Sequence, residues 1–290
     1  PAMLFRAGEL TARGVRIVCA GLATLDVIQR VAAFPGPDEK AEALHTDVAA
    51  GGPATNAAIT AAALGADVTL VTAVGPHPLG GPIRAELAHF GVRLIDAAGS
   101  DAPPPISAVT VHDATGRRSI VSRNARRAAV RVPSPSIFAT ADAVLVDGHH
   151  PDLALAAARS GRPLILDAGS WRPIFASLLP LAAVTAASAA FHPPGPLPPA
   201  AAMHALGVHK GAITYGPSPV HWWSGDAQGE LPVPAVEAVD TAGAGDAFHG
   251  ALTVAIARGA TLTEALRYAI DIATIRVQHR GPRAWLAALP

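Results

Sequence analysis

The chain has 290 residues, 50% of them hydrophobic and 15% charged, and its 22 Lys+Arg balance its 22 Asp+Glu. A half-apolar chain of this length can bury a full-sized core, which excludes a disordered protein and a disulfide-stapled mini-domain and favours one large domain. Zero net charge removes the long-range field that nucleic-acid and anionic-membrane binders use. No apolar run reaches the length of a membrane span, about 20 residues. We therefore expect neither a nucleic acid nor a membrane as partner.

The single cysteine, Cys19, lies in the apolar run 17–20. One cysteine cannot form an internal disulfide, and these surroundings predict a buried structural thiol rather than a nucleophile. Because the sequence shows no secretion signal with a small-residue cleavage pattern, we expect a cytoplasmic protein.

Short β-type runs alternate with helical patterns along most of the chain, which is typical of α/β folds with parallel strands. The predicted strands cover 15–20, 67–74, 143–146, 163–166, 182–185 and 211–215. Predicted helices at 56–64, 83–90 and 153–160 each stop at a glycine (Gly65, Gly91 and Gly161). Glycine is the residue that most readily takes the left-handed conformation at a helix C-terminus.

Other segments depart from this alternation. The runs 106–111 and 118–122 predict a β-hairpin, which with the extended stretch 27–46 could form a small separate sheet. The Pro-rich segment 192–199 predicts a loop. The last long helix is predicted from a capping box, Thr261 with Glu264, followed by apolar residues at helical spacing.

The most informative segment is 239–248, a turn of small residues that opens an apolar helix. The first N–H groups of a helix have no partner within it, and together with the helix dipole they favour a phosphate or another anion. Asp246, in this first turn, has two interpretations. It is either a residue that favours a helix N-terminus, or a base beside a bound phosphate that takes a proton from an attacking hydroxyl.

The run Asp240-Thr-Ala-Gly-Ala-Gly-Asp246 resembles the C-terminal signature of the ribokinase-like (PfkB) carbohydrate kinases, and Gly51-Gly-Pro-Ala-Thr-Asn56 resembles their N-terminal Gly-Gly-x-x-x-Asn signature. The similarity extends over about 15–281 and includes Asp26 at the end of an early strand. It implies a three-layer ribokinase-like α/β fold with a mostly parallel central sheet and a small β-sheet lid. The expected organisation is one kinase domain over 1–290, with the lid formed by about 26–50 and 105–124.

The resemblance implies transfer of the γ-phosphate of ATP to a hydroxyl of a small sugar. Asp246 matches the family's catalytic base, and the backbone amides of Ala242, Gly243, Ala244 and Gly245 match its anion hole.

Asp26 and Asn56 match positions that bind sugar hydroxyls, and Gly51 and Gly52 let the backbone approach the ring. Without the resemblance, other interpretations of these residues are favoured. Asp26 would be a turn residue, Asn56 a helix cap, and the two glycines part of an ordinary loop. Arg118 corresponds to an arginine that reaches the site in related ketohexose kinases. It belongs to an arginine-rich run, most of which we expect to be solvated: Arg117, Arg118, Arg123, Arg126, Arg127 and Arg131.

For the nucleotide, the resemblance points to the segment Thr214-Tyr-Gly216 and to ATP with Mg²⁺. The family's Asn-x-x-Glu, tied to magnesium handling, is replaced here by 187–191 (Ala-Ser-Ala-Ala-Phe). We therefore expect Mg²⁺ to be held by ATP phosphates and water. Many members also bind a monovalent cation such as K⁺, which here would involve Asp240 and the carbonyl of Ala242.

Other enzyme classes lack their motifs. The sequence contains no P-loop, no Gly-x-Ser-x-Gly, no His-Glu-x-x-His and no Gly-x-Gly-x-x-Gly after the first strand. His149 and His150 are interpreted as a strand-end loop near substrate rather than a metal site.

Within the family, a ketohexose is favoured over ribose, because ribokinases commonly carry a lysine at the position of Pro53. A nucleoside kinase and a catalytically weak sugar-binding regulatory protein are the alternatives. Because lid strands expose sheet edges, we expect a homodimer formed through the lid.

Overall fold

The structure is a computed structural model and describes residues 14–125 and 129–290. The strands in chain order are β1 (Arg16–Ala20), β2 (Thr24–Val31), β3 (His45–Gly51), β4 (Asp67–Thr72), β5 (Arg93–Asp96), β6 (Ile106–His112), β7 (Arg118–Ser122), β8 (Ala143–Val146), β9 (Leu164–Ala168), β10 (Val184–Ser188), β11 (Lys210–Tyr215), β12 (Ser218–Ser224) and β13 (Ala227–Leu231). The α-helices are α1 (Pro53–Ala63), α2 (Gly81–His89), α3 (Ser136–Ala139), α4 (Pro151–Ala158), α5 (Phe175–Leu178), α6 (Pro199–Ala205), α7 (Ala244–Ala257) and α8 (Leu262–Val277). Short 3₁₀ turns follow at Pro78–Gly80, Leu179–Leu181 and Ala284–Ala288.

The larger sheet has nine strands in the order β13-β12-β11-β10-β9-β8-β1-β4-β5. Its strands pair in parallel from β11 through to β5, whereas β12 and β13 form an antiparallel hairpin at one edge. Central strands such as β8 (Ala-Val-Leu-Val) are buried along their whole length, as expected for parallel strands covered on both faces. The prediction of a mostly parallel α/β sheet is confirmed.

Helices cover both faces of this sheet and make three layers. On one face, residues of α1, α7 and α8 pack into a core that includes Ile59, Phe248 and Leu266. On the other, the short helices α3 to α6 contribute a second core around Phe138 and Phe175. Cys19, in β1, lies in the first core and is buried as predicted.

The smaller sheet has four strands in the order β3-β2-β6-β7. Its β6–β7 hairpin is antiparallel, and β6 runs parallel to β2. The expected hairpin is therefore present, but only the ends of the stretch 27–46 are β-strand, and 32–44 is irregular.

Most predicted elements are found within one to three residues of their expected bounds. Helices α1, α2 and α4 begin two or three residues earlier than predicted because each carries a proline in its first turn, where the missing N–H costs nothing. The three predicted stop glycines have φ values of +83°, +70° and +71°. The capping box of α8 forms.

Strand β5 and the β12–β13 hairpin are additional to the predicted elements. In the described part of the chain, no helix combines the length and the apolarity needed to cross a membrane.

Candidate active site

A cavity of about 400 Å³ lies between the two sheets, a volume in the range typical of small-molecule sites. Its walls come from the smaller sheet, from the carboxyl ends of β8 and β9, from the start of α7 and from the segment 281–285. Parallel α/β sheets place ligands at this edge. Among the predicted site residues, the cavity is lined by Asp26, Gly52, Asn56, Arg118, Asp240, Ala242, Gly243 and Asp246.

The first turn of α7 forms the floor of the cavity. Gly243 has φ +70° and ψ 8°, a left-handed conformation that favours glycine. The N–H groups of Gly243, Gly245 and Asp246 have no acceptor among the described residues, which leaves them free for an anion. The N–H of Ala242 instead donates to the Asp240 carboxylate at 3.0 Å. The N–H of Ala244 donates to the carbonyl of Thr241 at 3.4 Å, so that two of the four amides expected to form an anion hole, those of Gly243 and Gly245, have no acceptor among the described residues.

Asp246 is held by a chain of hydrogen bonds that begins at the C-terminal segment. Its Oδ2 accepts from Asn56 Nδ2 at 2.7 Å, and Asn56 Oδ1 accepts from Arg283 Nη1 at 3.0 Å. Arg283 also donates to Glu86 Oε1 at 2.6 Å and to the carbonyl of Ala50. Asn56 thus touches the proposed base directly, and Arg283 fixes which end of the amide faces it.

The N-terminal glycine signature makes room for Asp26. A Cβ on Gly51 would overlap the Asp26 carboxylate, and one on Gly52, whose φ is +98°, would overlap the carbonyl of Leu22. Burial raises the pKa of Asp26, an effect that hydrogen bonds from Thr24 and Ser107 partly offset. Asp26 therefore points into the cavity as a carboxylate that the fold accommodates specifically.

Asp147 connects the strand ends around the cavity. Its carboxylate accepts from the N–H groups of Leu22 at 2.8 Å, Ala54 at 3.2 Å and His149 at 2.9 Å. Burial alone would raise the pKa of Asp147, but its contacts with His149 and these N–H donors hold it below its ordinary value. His149 lines the cavity and meets Arg172 Nη2 at 2.7 Å.

His150, the second histidine of this loop, is buried outside the cavity lining. Burial lowers the pKa of His150, an effect that the Asp147 charge partly offsets.

A second buried acid, Asp167, lies at the end of β9 beside His249 of α7. His249 Nδ1 is 3.6 Å from Asp167 Oδ1, and both ring nitrogens of His249 also face main-chain carbonyls, those of Gly245 and Ala186. Burial raises the pKa of Asp167 to about 6, with a contribution from the charge of Asp246. The pair lies one helical turn below the proposed base.

Asp240 is a buried carboxylate with donors on both oxygens. Its Oδ2 accepts from Arg30 Nη2 at 2.6 Å and from the N–H of Gly281 at 3.2 Å, and Arg276 Nη2 lies 3.7 Å away. Its Oδ1 accepts from Ala242. The proposed cation ligand is therefore surrounded by protein donors.

Not all predicted residues line the cavity as Arg118 does. Arg118 reaches across from β7 to Thr241, with Nη1 3.2 Å from Oγ1. Thr214 and Gly216, at the end of β11, do not line the cavity. In the arginine-rich run, Arg126 and Arg127 lie outside the described residues.

The charged cavity residues that were not predicted as site residues include Arg30, Asp147, Arg172, Arg276 and Arg283. Asp147 carried a signal, since it ends a predicted buried strand, but the arginines lie in segments without a motif. The described residues hold no cluster of three or more His, Cys, Asp or Glu side chains placed to bind a metal.

Comparisons with known proteins point to one family. The model of the pfkB family of carbohydrate kinases matches residues 15–190 and 196–288. The chain is 28% identical to an Arabidopsis thaliana ribokinase, over 91% of this chain and 76% of the relative, and 27% identical to a Bacillus subtilis ribokinase, over 91% and 93%.

A structure of Arabidopsis thaliana ribokinase complexed with ribose and ATP superposes with a TM-score of 0.77 at 25% identity, covering 96% of both chains. The family match spans nearly the whole described chain and contains both glycine signatures. The chain belongs to the pfkB family of carbohydrate kinases.

Proposed function

We propose that this ATP-dependent sugar kinase uses Asp246 as its catalytic base and the first turn of α7 as its anion hole. The observation that carries the proposal is the position of the Asp246 carboxylate beside unpaired N–H groups, in a cavity of about 400 Å³ that has room for a small sugar. A carboxylate without this setting would be only a favourable helix N-terminal residue.

In the proposed reaction, the sugar hydroxyl gives its proton to Asp246 while its oxygen forms a bond to the γ-phosphorus of ATP. The bond between that phosphorus and the β–γ bridging oxygen breaks, and ADP leaves with the electron pair. The N–H groups of Gly243 and Gly245 stabilise charge that develops on the transferred group. Asn56, bound to Asp246 Oδ2, orients the base.

We assign the sugar to the part of the cavity between Asp26 and Asn56. Both residues line the cavity, and Gly51 leaves the room that the Asp26 carboxylate occupies. A carboxylate and an amide suit sugar hydroxyls. Arg118, held by Thr241, would close the opposite side.

An aldopentose such as ribose is our first candidate, because the curated relatives are ribokinases. A ketohexose is the second and rests on Pro53, where ribokinases commonly carry a lysine. A nucleoside is disfavoured, because Trp285 is the aromatic side chain among the cavity residues and its ring is buried. A base would find little to stack against.

ATP is expected to approach along the carboxyl edge of the larger sheet, from the side of Thr214 and Gly216. Asp246 and Asp167 are acidic groups that line the cavity, and without an acidic cluster among the described residues they would contact Mg²⁺ through water. The ion itself would be held mainly by ATP phosphates.

The experiment is ADP release from Mg-ATP by the purified protein with a panel of aldopentoses, ketohexoses, sugar acids and nucleosides. Asp246→Asn is the test variant, and Asp226→Asn, in the exposed β12–β13 turn, is the matched control. We expect sugar-dependent turnover that Asp246→Asn reduces by about 10²–10⁴-fold and Asp226→Asn leaves unchanged. Binding of ATP and sugar without turnover would instead identify a regulatory sugar-binding protein.

A further inference from the structure

We propose that two arginines, Arg30 and Arg276, take the place of the monovalent cation beside the anion hole, so that this kinase works without potassium. The inference rests on the proposed function, because it concerns the same phosphoryl-transfer site. It starts from Asp240, the residue that would be the anionic ligand of such a cation.

The Asp240 carboxylate is engaged by the protein itself. Asp240 is 6% exposed, and the Arg30 guanidinium bound to it at 2.6 Å is equally buried. A buried ion pair this close is strongly coupled, and removing one partner leaves an uncompensated charge. Arg276 adds a second guanidinium at 3.7 Å. A potassium ion would have to displace these groups or lie beside two positive charges.

Two main-chain carbonyl oxygens near the Asp240 carboxylate also accept hydrogen bonds from an arginine. Arg276 Nη1 donates to the carbonyl of Asp240 at 3.3 Å and to the carbonyl of His279 at 2.8 Å. A carboxylate and two carbonyls are the oxygen donors that a hard cation uses. Here Arg30 binds the carboxylate, and Arg276 Nη1 binds both carbonyls. The several N–H donors of a guanidinium allow one arginine to bind more than one oxygen. The residues present therefore do not fit a potassium ion.

The positive charge of Arg276, which would replace the charge of the cation, lies close to the proposed catalytic base. A Cβ built on Gly243 would be 3.9 Å from Arg276 Nε and 3.8 Å from Asp246 Oδ2. The guanidinium thus lies beside Gly243, and Arg276 and Gly243 both line the cavity. Because arginine stays protonated, the loop keeps a fixed positive charge that needs no ion from solution.

Arg30 lies on β2 of the smaller sheet, whereas Asp240 lies in the loop before α7. Its ion pair with Asp240 joins residues 210 positions apart and connects the sheet above the cavity to the anion-hole loop below it. We classify Arg30 and Arg276 as positioning residues. They hold the loop 240–243 through their contacts with Asp240.

The first test compares the wild-type protein in potassium chloride and in choline chloride, each at about 0.1 M so that ionic screening is equal. With the sugar that the panel identifies, kcat and the KM for ATP should differ by less than about twofold. Saturable activation by potassium of about tenfold or more would overturn the inference.

If no sugar is turned over in either salt, the proposed function fails, and the thermal midpoint of the protein still tests the inference. A specifically bound cation raises the midpoint in a concentration-dependent way. We expect equal midpoints in the two salts, and a rise with potassium alone would count against the substitution.

The second test replaces Arg276 with methionine or lysine and uses Arg267→Met, exposed on the same helix, as the control. Arg276→Met should lower kcat by about tenfold or more with a smaller change in KM, Arg276→Lys should lose less, and Arg267→Met should match wild type. A fully active Arg276→Met enzyme in choline chloride would overturn the positioning role. If Arg276→Met does not fold, the comparison of potassium chloride with choline chloride still tests whether the wild-type enzyme needs potassium.

Discussion

Buried aspartates around the cavity differ in their pKa values because their neighbours differ. Asp147 accepts three main-chain N–H bonds and lies beside His149, which lowers its pKa despite complete burial. Among the described residues, Asp167 receives no comparable set of donors, and burial raises its pKa to about 6. The pKa of Asp26 is raised for the same reason. The fold therefore keeps Asp147 ionised, whereas Asp167 changes its protonation state around pH 6.

Asp167 should make stability depend on pH. Its pKa is about 6 in the folded protein against an ordinary value of 3.8, so folding favours the protonated form. This contribution is fully present below a pH of about 3.8 and is lost as the pH rises through about 6. Relative to wild type, the free energy of unfolding of Asp167→Asn should therefore rise by up to about 3 kcal/mol between about pH 4 and pH 7.

Urea unfolding of both proteins across this range measures the effect. Asp226→Asn, at an exposed position, should show a constant difference from wild type. A pH-independent difference for Asp167→Asn would mean that Asp167 titrates at its ordinary pKa.

Arg283 should matter for activity although it matches neither signature. It donates to Asn56, which in turn donates to Asp246, and it is also paired with Glu86. Arg283→Met leaves the Asn56 amide free to rotate away from the base, so we expect kcat to fall by about 10–100-fold.

The matched control is Arg280→Met, which removes only an exposed pair with Asp113. Steady-state kinetics on both variants measures the effect. If Arg283→Met retains wild-type kcat, the hydrogen-bond chain is not what orients the base.

At the scale of elements, the site depends on how closely α1 and α7 approach each other. Asn56 lies on α1 and Asp246 on α7, and the two helices pack through small residues. A Cβ on Gly250 would be 2.6 Å from the carbonyl of Ala57 and 2.9 Å from Thr60 Cβ. Gly250→Ala should therefore force the helices apart and destabilise the protein by about 1–3 kcal/mol.

Gly81→Ala provides the comparison, since Gly81 is helical and no heavy atom lies within 4 Å of its added Cβ. It should be neutral or stabilising by up to about 1 kcal/mol. Denaturant unfolding measures both changes. Equal stabilities of the two variants would contradict the close approach of α1 and α7.

The sequence was sufficient for elements whose signals are local. Apolar runs, stop glycines and the Thr261 capping box predicted the central strands and most helices. The two glycine signatures predicted Asn56 and Asp246 as site residues, and the end of an early strand predicted Asp26. Strand β5 was not predicted because it is short and half-exposed, with polar ends. The β12–β13 hairpin carries Trp, His and Gly without clear alternation.

The site arginines escaped prediction for a different reason. Arg30 meets Asp240 across 210 positions, and Arg283 meets Asn56 across 227. Such pairs exist only after the smaller sheet and the C-terminal segment have docked on the larger sheet. No local pattern distinguishes these arginines from the solvated ones.

At the scale of the whole molecule, the outer face of the smaller sheet carries exposed apolar side chains. Asp26 lines the cavity, so its neighbour Val27 points the other way, in register with Val48 of β3. Val48 is 55% exposed and Val121, on the same face, is 74% exposed. We propose that a second copy of the chain covers this face and makes the homodimer expected from the lid.

Val121→Asp tests the dimer, because a charge in the middle of this face would oppose its burial. Light scattering with size-exclusion chromatography should give about twice the mass of one chain for wild type and one chain for the variant. Asp226→Asn should stay dimeric. A monomeric wild-type protein would contradict the proposed homodimer.

The central claim is that a sugar hydroxyl, activated by Asp246, receives the γ-phosphoryl group inside the cavity. The most direct measurement follows ATP labelled at the γ-phosphorus and separates the labelled products after turnover with the accepted sugar. We predict that the label appears in a sugar phosphate, and that Asp246→Asn slows its appearance by about 10²–10⁴-fold. Label released as inorganic phosphate regardless of sugar, or a wild-type rate in Asp246→Asn, would contradict the account.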